Sequence, residues 1–393
     1  MDFERIREYI LKIAAIGAHE DGATNREFGT ENFKQGQKEV KRYFEECGME
    51  THIDSVGNVH GILKCGNLSA SEVLVGSHID TVNHGGPFDG LLGVVCAAEC
   101  IRDIKSSGIG LSKDIHLIGT NGEEGNDMGG TFGSRAMIGM LPLENEKYIE
   151  LGKHFGFSRE DMENARLNTE KASCWIELHI EQGPTLDKNH EKIGIVTGIV
   201  GLRRYKVTVK GISNHAGTTM MEDRKDALIA AANLLIMGDR LAREIGHQFV
   251  ETVGLFTIHP ASVAVIPDRV EMVVEIRNED ESLMDRFLEE YVSRAKSIAE
   301  FDIEPIVSKA PIKCDERMLR IIEEHCKDLK LPYRLMPSGA THDGNAMAME
   351  MPVSMIFVPS VNGISHAREE RTEWNDVFAG AEVLKRTLIS AAR

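Results

Sequence analysis

The first half of the chain alternates short apolar runs with stretches of helical periodicity. EVLVGSH (72–78) precedes the helical segment GLLGVVCAAECIRDI, and DIHLIGT (114–120) and ASCWIELHI (172–180) follow it. Strand, helix and strand in that order predict a largely parallel sheet covered by helices. Sheets of this kind bind ligands at the carboxyl ends of their strands. The opening MDFERIREYILKIAAIG reads as an amphipathic helix.

The pattern changes at Tyr205. YKVTVKG alternates apolar and polar positions, as a sheet with one solvated face requires. A helix follows over Arg224–Ile245, with Leu228, Ala231, Leu234, Leu235 and Leu241 predicted to face inward. VETVGLFTI and RVEMVVEI are the next strands, the latter alternating Val270, Met272, Val274 and Ile276. Met284, Phe287, Leu288, Tyr291, Ala295 and Ile298 recur at helical spacing before a strand near DIEPIVS. Strand, helix, strand, strand, helix, strand is the order of a ferredoxin-like α+β sandwich. Beyond it the α/β pattern resumes with a helix over 315–327, the strand PVSMIFV and a terminal helix from Asp376. The expected fold is therefore an α/β domain interrupted by a small α+β domain, with parts 1–203, 204–311 and 312–393.

A chain of 393 residues is long enough for two domains. Hydrophobic residues at 42% and charged residues at 27% exclude disorder as the main state. The formal net charge of -17, with no stripe of Lys and Arg to reverse it locally, argues against nucleic acid as a partner. No apolar stretch approaches the ~20 residues needed to span a bilayer, so a membrane is not an expected partner either. Seven cysteines without a CxxC pair suit a reducing compartment, and the expected location is the cytoplasm. Cys96 and Cys100 share a helix face and read as small buried hydrophobes.

Candidate chemistry gathers where the apolar strands end. In GSHIDTVNHGGPFDGLLGV, His78 and Asp80 follow directly on a strand, and Asp89 lies in a Gly-rich turn before a helix. Alternation places His78 and Asp80 on one side, so the Asp80 carboxylate is expected to accept from the imidazole and fix its tautomer. NGEEG delivers Glu123 and Glu124 to the same end of the sheet, where adjacent side chains diverge and can divide metal binding from a role facing substrate. ELHIEQGP places His179 on a third strand, and GISHAREERTEW places His366 on a loop after PVSMIFVPS. Read one at a time, these residues equally fit helix caps, an acidic loop and ordinary histidines, as His52, His116, His154 and His325 are read. Together they form a mixed nitrogen and oxygen ligand set suited to borderline divalent metals.

GSHIDTV, GGPFDG, EEG, ELHIEQGP, GLRRY, SNHAGTT, SGATHD and FVPSVNGISH occur in one order along the chain. In that order they resemble the N-carbamoyl-L-amino-acid hydrolase and allantoate amidohydrolase group of the two-metal aminoacylases and carboxypeptidases, from about Phe28 to the C-terminus. The resemblance implies a catalytic α/β domain carrying an inserted lid and dimerisation domain, and two divalent ions per subunit, zinc or else manganese, cobalt or nickel. It implies Asp89 as the bridging carboxylate, Glu124 and His366 completing one site, and His78 and His179 completing the other. Glu123 corresponds to the general base. Arg204 and Arg277 correspond to groups that bind the carboxylate of a small substrate, a task suited to the guanidinium fork. His215 corresponds to a lid histidine that stabilises the oxyanion in the neighbouring subunit of a homodimer, and Gln182 to a residue beside the metals.

Where aminopeptidase and carboxypeptidase relatives carry a carboxylate ligand, this chain has His179, which points to the carbamoylase side of the family. Ala264 stands where these relatives have a substrate-contacting Asn, and Met220 where Pro is common. The implied activity is hydrolysis of an N-carbamoyl-L-amino acid, with allantoate, an N-acyl amino acid or a dipeptide as alternative substrates. A cysteine hydrolase using Cys174 and a non-catalytic binding protein are the readings from other classes.

Overall fold

A computed structural model describes residues 1–66, 71–246 and 248–393. The chain divides into two compact units, one formed by Met1–Thr197 with Lys313–Arg393 and the other by Gly198–Ile312. The first unit contributes β1 (Glu50–Ile53), β2 (Val59–Leu63), β3 (Glu72–His78), β4 (Asp114–Thr120), β5 (Ala172–Ile180) and β6 (Ile193–Ile199). The second contains β7 (Gly201–Lys210), β8 (Val250–His259), β9 (Arg269–Asn278) and β10 (Glu300–Lys309). The returning chain adds β11 (Ile312–Lys313), β12 (Tyr333–Ser338) and β13 (Val353–Val358).

The larger sheet has nine strands in the order β1-β2-β4-β3-β5-β13-β6-β11, with β12 paired to β6. Its centre, β4-β3-β5-β13, is parallel, and antiparallel β1, β2 and β6 flank it. Every residue of β4 and β13 is buried, as strands covered on both faces must be. Helix Leu91–Ser107 supplies much of that cover through Leu92, Val95, Cys96 and Ile101, all without exposed surface. Cys96 and Cys100 are thus packing groups. Burial raises the pKa of the Cys174 thiol, which opposes a role as nucleophile.

His116 and His52, read from sequence as ordinary residues, flank a buried chain of polar contacts. His60 Nδ1 lies 2.9 Å from His116 Nε2, His116 Nδ1 lies 3.0 Å from Glu72, and the His52 ring stacks on His60.

The smaller sheet runs β10-β7-β9-β8, all antiparallel, and helices Ala227–Ile245 and Glu281–Ala295 complete the ferredoxin-like order. Along β9, Val270, Met272, Val274 and Ile276 are buried against the helices and the residues between them are not. Two details differ from the sequence reading. The first helix begins at Ala227 rather than Arg224, because the Asp226 carboxylate accepts from the backbone N–H groups of Leu228 and Ile229 and caps it there. Leu235 faces outward, since the inward stripe runs through Ala231, Leu234, Gly238 and Leu241. Among the described residues no helix is long and apolar enough to cross a membrane.

Candidate metal centre

Parallel strands deliver their last residues to one edge of the larger sheet. His78 ends β3, His179 lies one residue from the end of β5, Glu123 and Glu124 follow β4, and His366 lies on the loop after β13. Asp89 reaches the same edge from the turn before helix Leu91–Ser107. The approach requires Gly90 beside it, where a Cβ would stand 2.5 Å from the His78 ring and φ is +67°.

Asp89 presents its two oxygens to different partners. Oδ1 lies 3.2 Å from His78 Nε2 and 3.1 Å from His179 Nε2, while Oδ2 lies 3.3 Å from His366 Nε2. His366 Nε2 is in turn 3.2 Å from Glu124 Oε1. Two groups able to hold a cation result, His78–Asp89–His179 and Asp89–Glu124–His366, with Asp89 common to both.

The donor chemistry fits divalent metal. Asp89 Oδ1 and Glu124 Oε1 are buried and have no hydrogen bond of acceptable geometry despite the imidazoles beside them. His78 Nε2 and His179 Nε2 face each other at 3.4 Å. Two nitrogens sharing a tetrahedral zinc at ~2.05 Å each would stand roughly 3.3 Å apart. Each ring is oriented through its other nitrogen, His78 Nδ1 on the Asp80 carbonyl at 3.0 Å and His179 Nδ1 on the Ile180 carbonyl at 2.9 Å.

Two further groupings are geometrically close, Glu177–His179–His342 and His78–Glu123–Glu124. The first is already engaged: the Glu177 oxygens accept from Ser77, Trp175 and Gly344, and His342 Nε2 lies 2.8 Å from Ser338 Oγ. In the second, Glu123 Oε2 stands back from His78 Nε2 at 3.9 Å.

Asp80 acts differently from the sequence expectation. Its carboxylate is 3.9 Å from His78 Nδ1, and it accepts instead from the backbone N–H groups of Glu123 at 3.1 Å and Glu124 at 3.0 Å. The backbone carbonyl of Asp80, not its side chain, fixes the imidazole. Asp80 therefore shapes the Glu123–Glu124 turn. Gln182 Nε2 lies 2.9 Å from Asp89 Oδ2. Gln182 and His366 both adopt left-handed backbone, at φ +58° and +56°. Such conformations are sparse for residues with a side chain and concentrate at functional sites. Sequence reasoning missed Ser365, whose hydroxyl lies 2.9 Å from Asp89 Oδ2. The residue adjoins His366, but neither its type nor its spacing distinguishes it from other loop serines.

The protein's own electrostatics prepare the cluster for cations. Burial would raise Asp89, yet His179, His366 and His78 hold it well below the usual carboxylate range. Burial pushes Glu123 well above that range against the pull of His78, and Glu124, Asp343 and Asp80 add to the rise. Asp80 is raised to about 6 by burial first and by Glu124. Asp89 and then Glu124 raise His366 to about 10. Imidazoles that hold protons only because carboxylates surround them exchange those protons for metal.

In the second unit, Arg204 on β7 and Arg277 on β9 share one carboxylate, Glu275, through their Nε atoms at 2.5 and 2.8 Å. His215 is exposed on the loop after β7, and its Nδ1 accepts from the backbone N–H groups of Gly217 at 3.0 Å and Thr218 at 3.2 Å. That assigns the neutral ring its proton on Nε2. The same loop pairs with Ala264, whose carbonyl accepts from Ala216 at 2.9 Å.

Known proteins agree with this architecture. The chain is 34% identical to an N-carbamoyl-L-amino acid amidohydrolase of Geobacillus stearothermophilus, over 99% of this chain and 98% of that one. It is 31% identical to an allantoate amidohydrolase of Escherichia coli (strain K12), with the same coverage. A solved amidase of the hydantoinase/carbamoylase family from Burkholderia multivorans superposes with a TM-score of 0.88 at 32% identity, covering 100% of this chain and 98% of its own. The family model for Peptidase family M20/M25/M40 matches residues 74–390, a span that contains His78, Asp89, Glu124, His179 and His366, and the chain belongs to that family.

Proposed function

We propose that this protein is a two-metal amidohydrolase that cleaves an N-carbamoyl-L-amino acid to the amino acid, ammonia and carbon dioxide. The observation that carries the reading is Asp89, one buried carboxylate whose two oxygens face two separate ligand sets. The relatives compared above are named as amidohydrolases, one of an N-carbamoyl-L-amino acid and one of allantoate, which supports this class of reaction.

In this reading His78, Asp89 and His179 hold one ion, and Asp89, Glu124 and His366 hold the other. The ions are zinc, or else manganese, cobalt or nickel, which accept the same donors. When bound, such a pair lowers the pKa of water and polarises the carbonyl to be attacked. Glu123 takes the proton from the attacking water and returns it to the leaving nitrogen, a role supported by its buried place beside the candidate ligands, with its Oε2 3.9 Å from His78 Nε2. Asp80 holds the Glu123 backbone and so aims that carboxylate. Arg204 and Arg277 receive the substrate carboxylate, a reading supported by their neighbouring places on β7 and β9, where both guanidinium groups reach Glu275. His215 donates from Nε2 to the developing oxyanion, and Gln182 orients groups at Asp89. The second unit serves as lid and as the contact of a homodimer in the cytoplasm, the latter supported by seven free cysteines.

Glu123→Gln is expected to cut turnover at least about a thousand-fold while leaving both metals bound, as read by ammonia release and elemental analysis. Retained activity in that variant sinks the assignment. Allantoate is the second substrate to assay, because the allantoate-named relative covers the chain as fully as the carbamoyl-named one. Faster ammonia release from allantoate than from N-carbamoyl amino acids would replace the substrate and keep the chemistry.

A further inference from the structure

Behind Asp89 lies a buried glutamate to which the mechanism gives no role. Glu370, 4% exposed, follows His366 by four residues. Its Oε1 accepts from the backbone N–H groups of Phe88 at 2.8 Å and Asp89 at 3.0 Å. Its Oε2 lies 3.0 Å from Ser365 Oγ, the hydroxyl that also reaches Asp89 Oδ2. Gly86 makes the room, because a Cβ there would stand 2.3 Å from Glu370 Cβ and 2.4 Å from its Oε1. No left-handed backbone is involved at Gly86, so the glycine serves space and not conformation.

This clasp joins a turn and a loop that are 281 residues apart, one carrying Asp89 and the other His366. The two candidate ion groups depend on it unequally. His78 and His179 stand at the ends of β3 and β5, which pair directly in the sheet over Glu72–Val75, so the two imidazoles of that half are carried by the sheet without Glu370. His366 stands on a loop, with its side chain 48% exposed and its backbone in the left-handed region. Its distance from Asp89 is set by whatever joins the two segments, and Glu370 does so at both ends.

We propose that Glu370 is a positioning residue specific to one half of the centre: it holds the Asp89 turn against the His366 loop, and without it the Asp89–Glu124–His366 ion is lost while the His78–Asp89–His179 ion stays. The inference rests on the two-ion reading above. Losing a buried carboxylate that accepts two backbone N–H groups unties the turn from the His366 loop, while Asp89 Oδ1 keeps its place against His78 and His179.

The test is zinc stoichiometry and affinity, measured by elemental analysis and by competition with a chromophoric chelator. Wild type is expected to hold two zinc ions per chain and Glu370→Ala one. Glu370→Gln should restore the second, since its amide oxygen accepts the same N–H groups and its amide nitrogen donates to Ser365. Gly86→Ala should reproduce the loss from the opposite side of the contact. Ser365→Ala, which adds no volume, should weaken only the second zinc, by roughly ten-fold. Circular dichroism on each variant separates loss of an ion from loss of fold, and Ser365→Ala carries the test if the others unfold. Two tightly held zinc ions in Glu370→Ala or in Ser365→Ala, both ions lost together, or no recovery in Glu370→Gln would overturn the clasp. A wild-type chain that takes up no zinc would instead sink the two-ion reading itself.

Discussion

The two sheets use their residues in opposite ways. In the larger one, β3, β4, β5 and β13 are buried on both faces, so side chains along their length have no access to a ligand. Polar chemistry is confined to the strand ends, and the five candidate ligands gather there. In the smaller sheet alternate residues of β7 and β9 are buried, and the open face carries two charged groups, Arg204 with Glu275 and Arg277, and Lys206 with Glu271 and Arg269. A covered sheet concentrates function at an edge, where geometry is rigid. A sheet with one free face spreads its charges over a surface, where salt and solvent weaken each pair.

The sharpest way to break this comparison is to truncate neighbours on one strand of each sheet. Leu117→Ala and Ile118→Ala on β4 should each cost roughly 2–5 kcal/mol, because both faces are packed. On β9, Val274→Ala should cost about 2 kcal/mol and Glu271→Ala, three residues before it on the open face, at most about 0.5. Denaturant titration reads all four, and equal costs for the β9 pair would contradict the one-sided description.

Metal removal should follow the same division, with a somewhat smaller effect. At an ion concentration about a hundred times the Kd, binding adds about 2.7 kcal/mol, or on the order of 5–10 °C in Tm. Chelator should lower the transition of the first unit by that amount and leave amide exchange along β7 and β9 unchanged. A uniform loss of protection in both units would show that they do not respond separately.

The smallest effect concerns a buried acid in the second unit. Burial, with Asp239 adding to it, raises Glu251 to about 7, and its Oε1 has no hydrogen-bond partner. The folded state then keeps a proton that the unfolded chain releases near pH 4.5, so stability falls as pH rises from about 4.5 through 7. Glu251→Gln should remove that slope, with a gain in Tm over wild type larger at pH 8 than at pH 5. The same difference at both pH values would rule the effect out.

Much of this was legible in order and period. The apolar runs gave β3, β4, β5 and β13 within a residue or so, and the alternation through Val270, Met272, Val274 and Ile276 marked the one-sided sheet. The hairpin β1–β2 was not read, because THI and VHGIL are short and mix histidine into the pattern. His60 is buried there only because His116 and Asp54 arrive to pair with it.

By itself the sequence determined which side chains stand at the ends of parallel strands. Strand direction and a two-residue period are local properties, and His78, Glu123, Glu124 and His179 follow from them. Only the tertiary structure decided how Asp89 divides its oxygens, why Asp80 holds a backbone turn and not an imidazole, and that Glu370 closes on Phe88 and Asp89. A buried hydrogen bond forms with whichever donor the fold brings within about 3 Å, and over 281 residues nothing local specifies that donor.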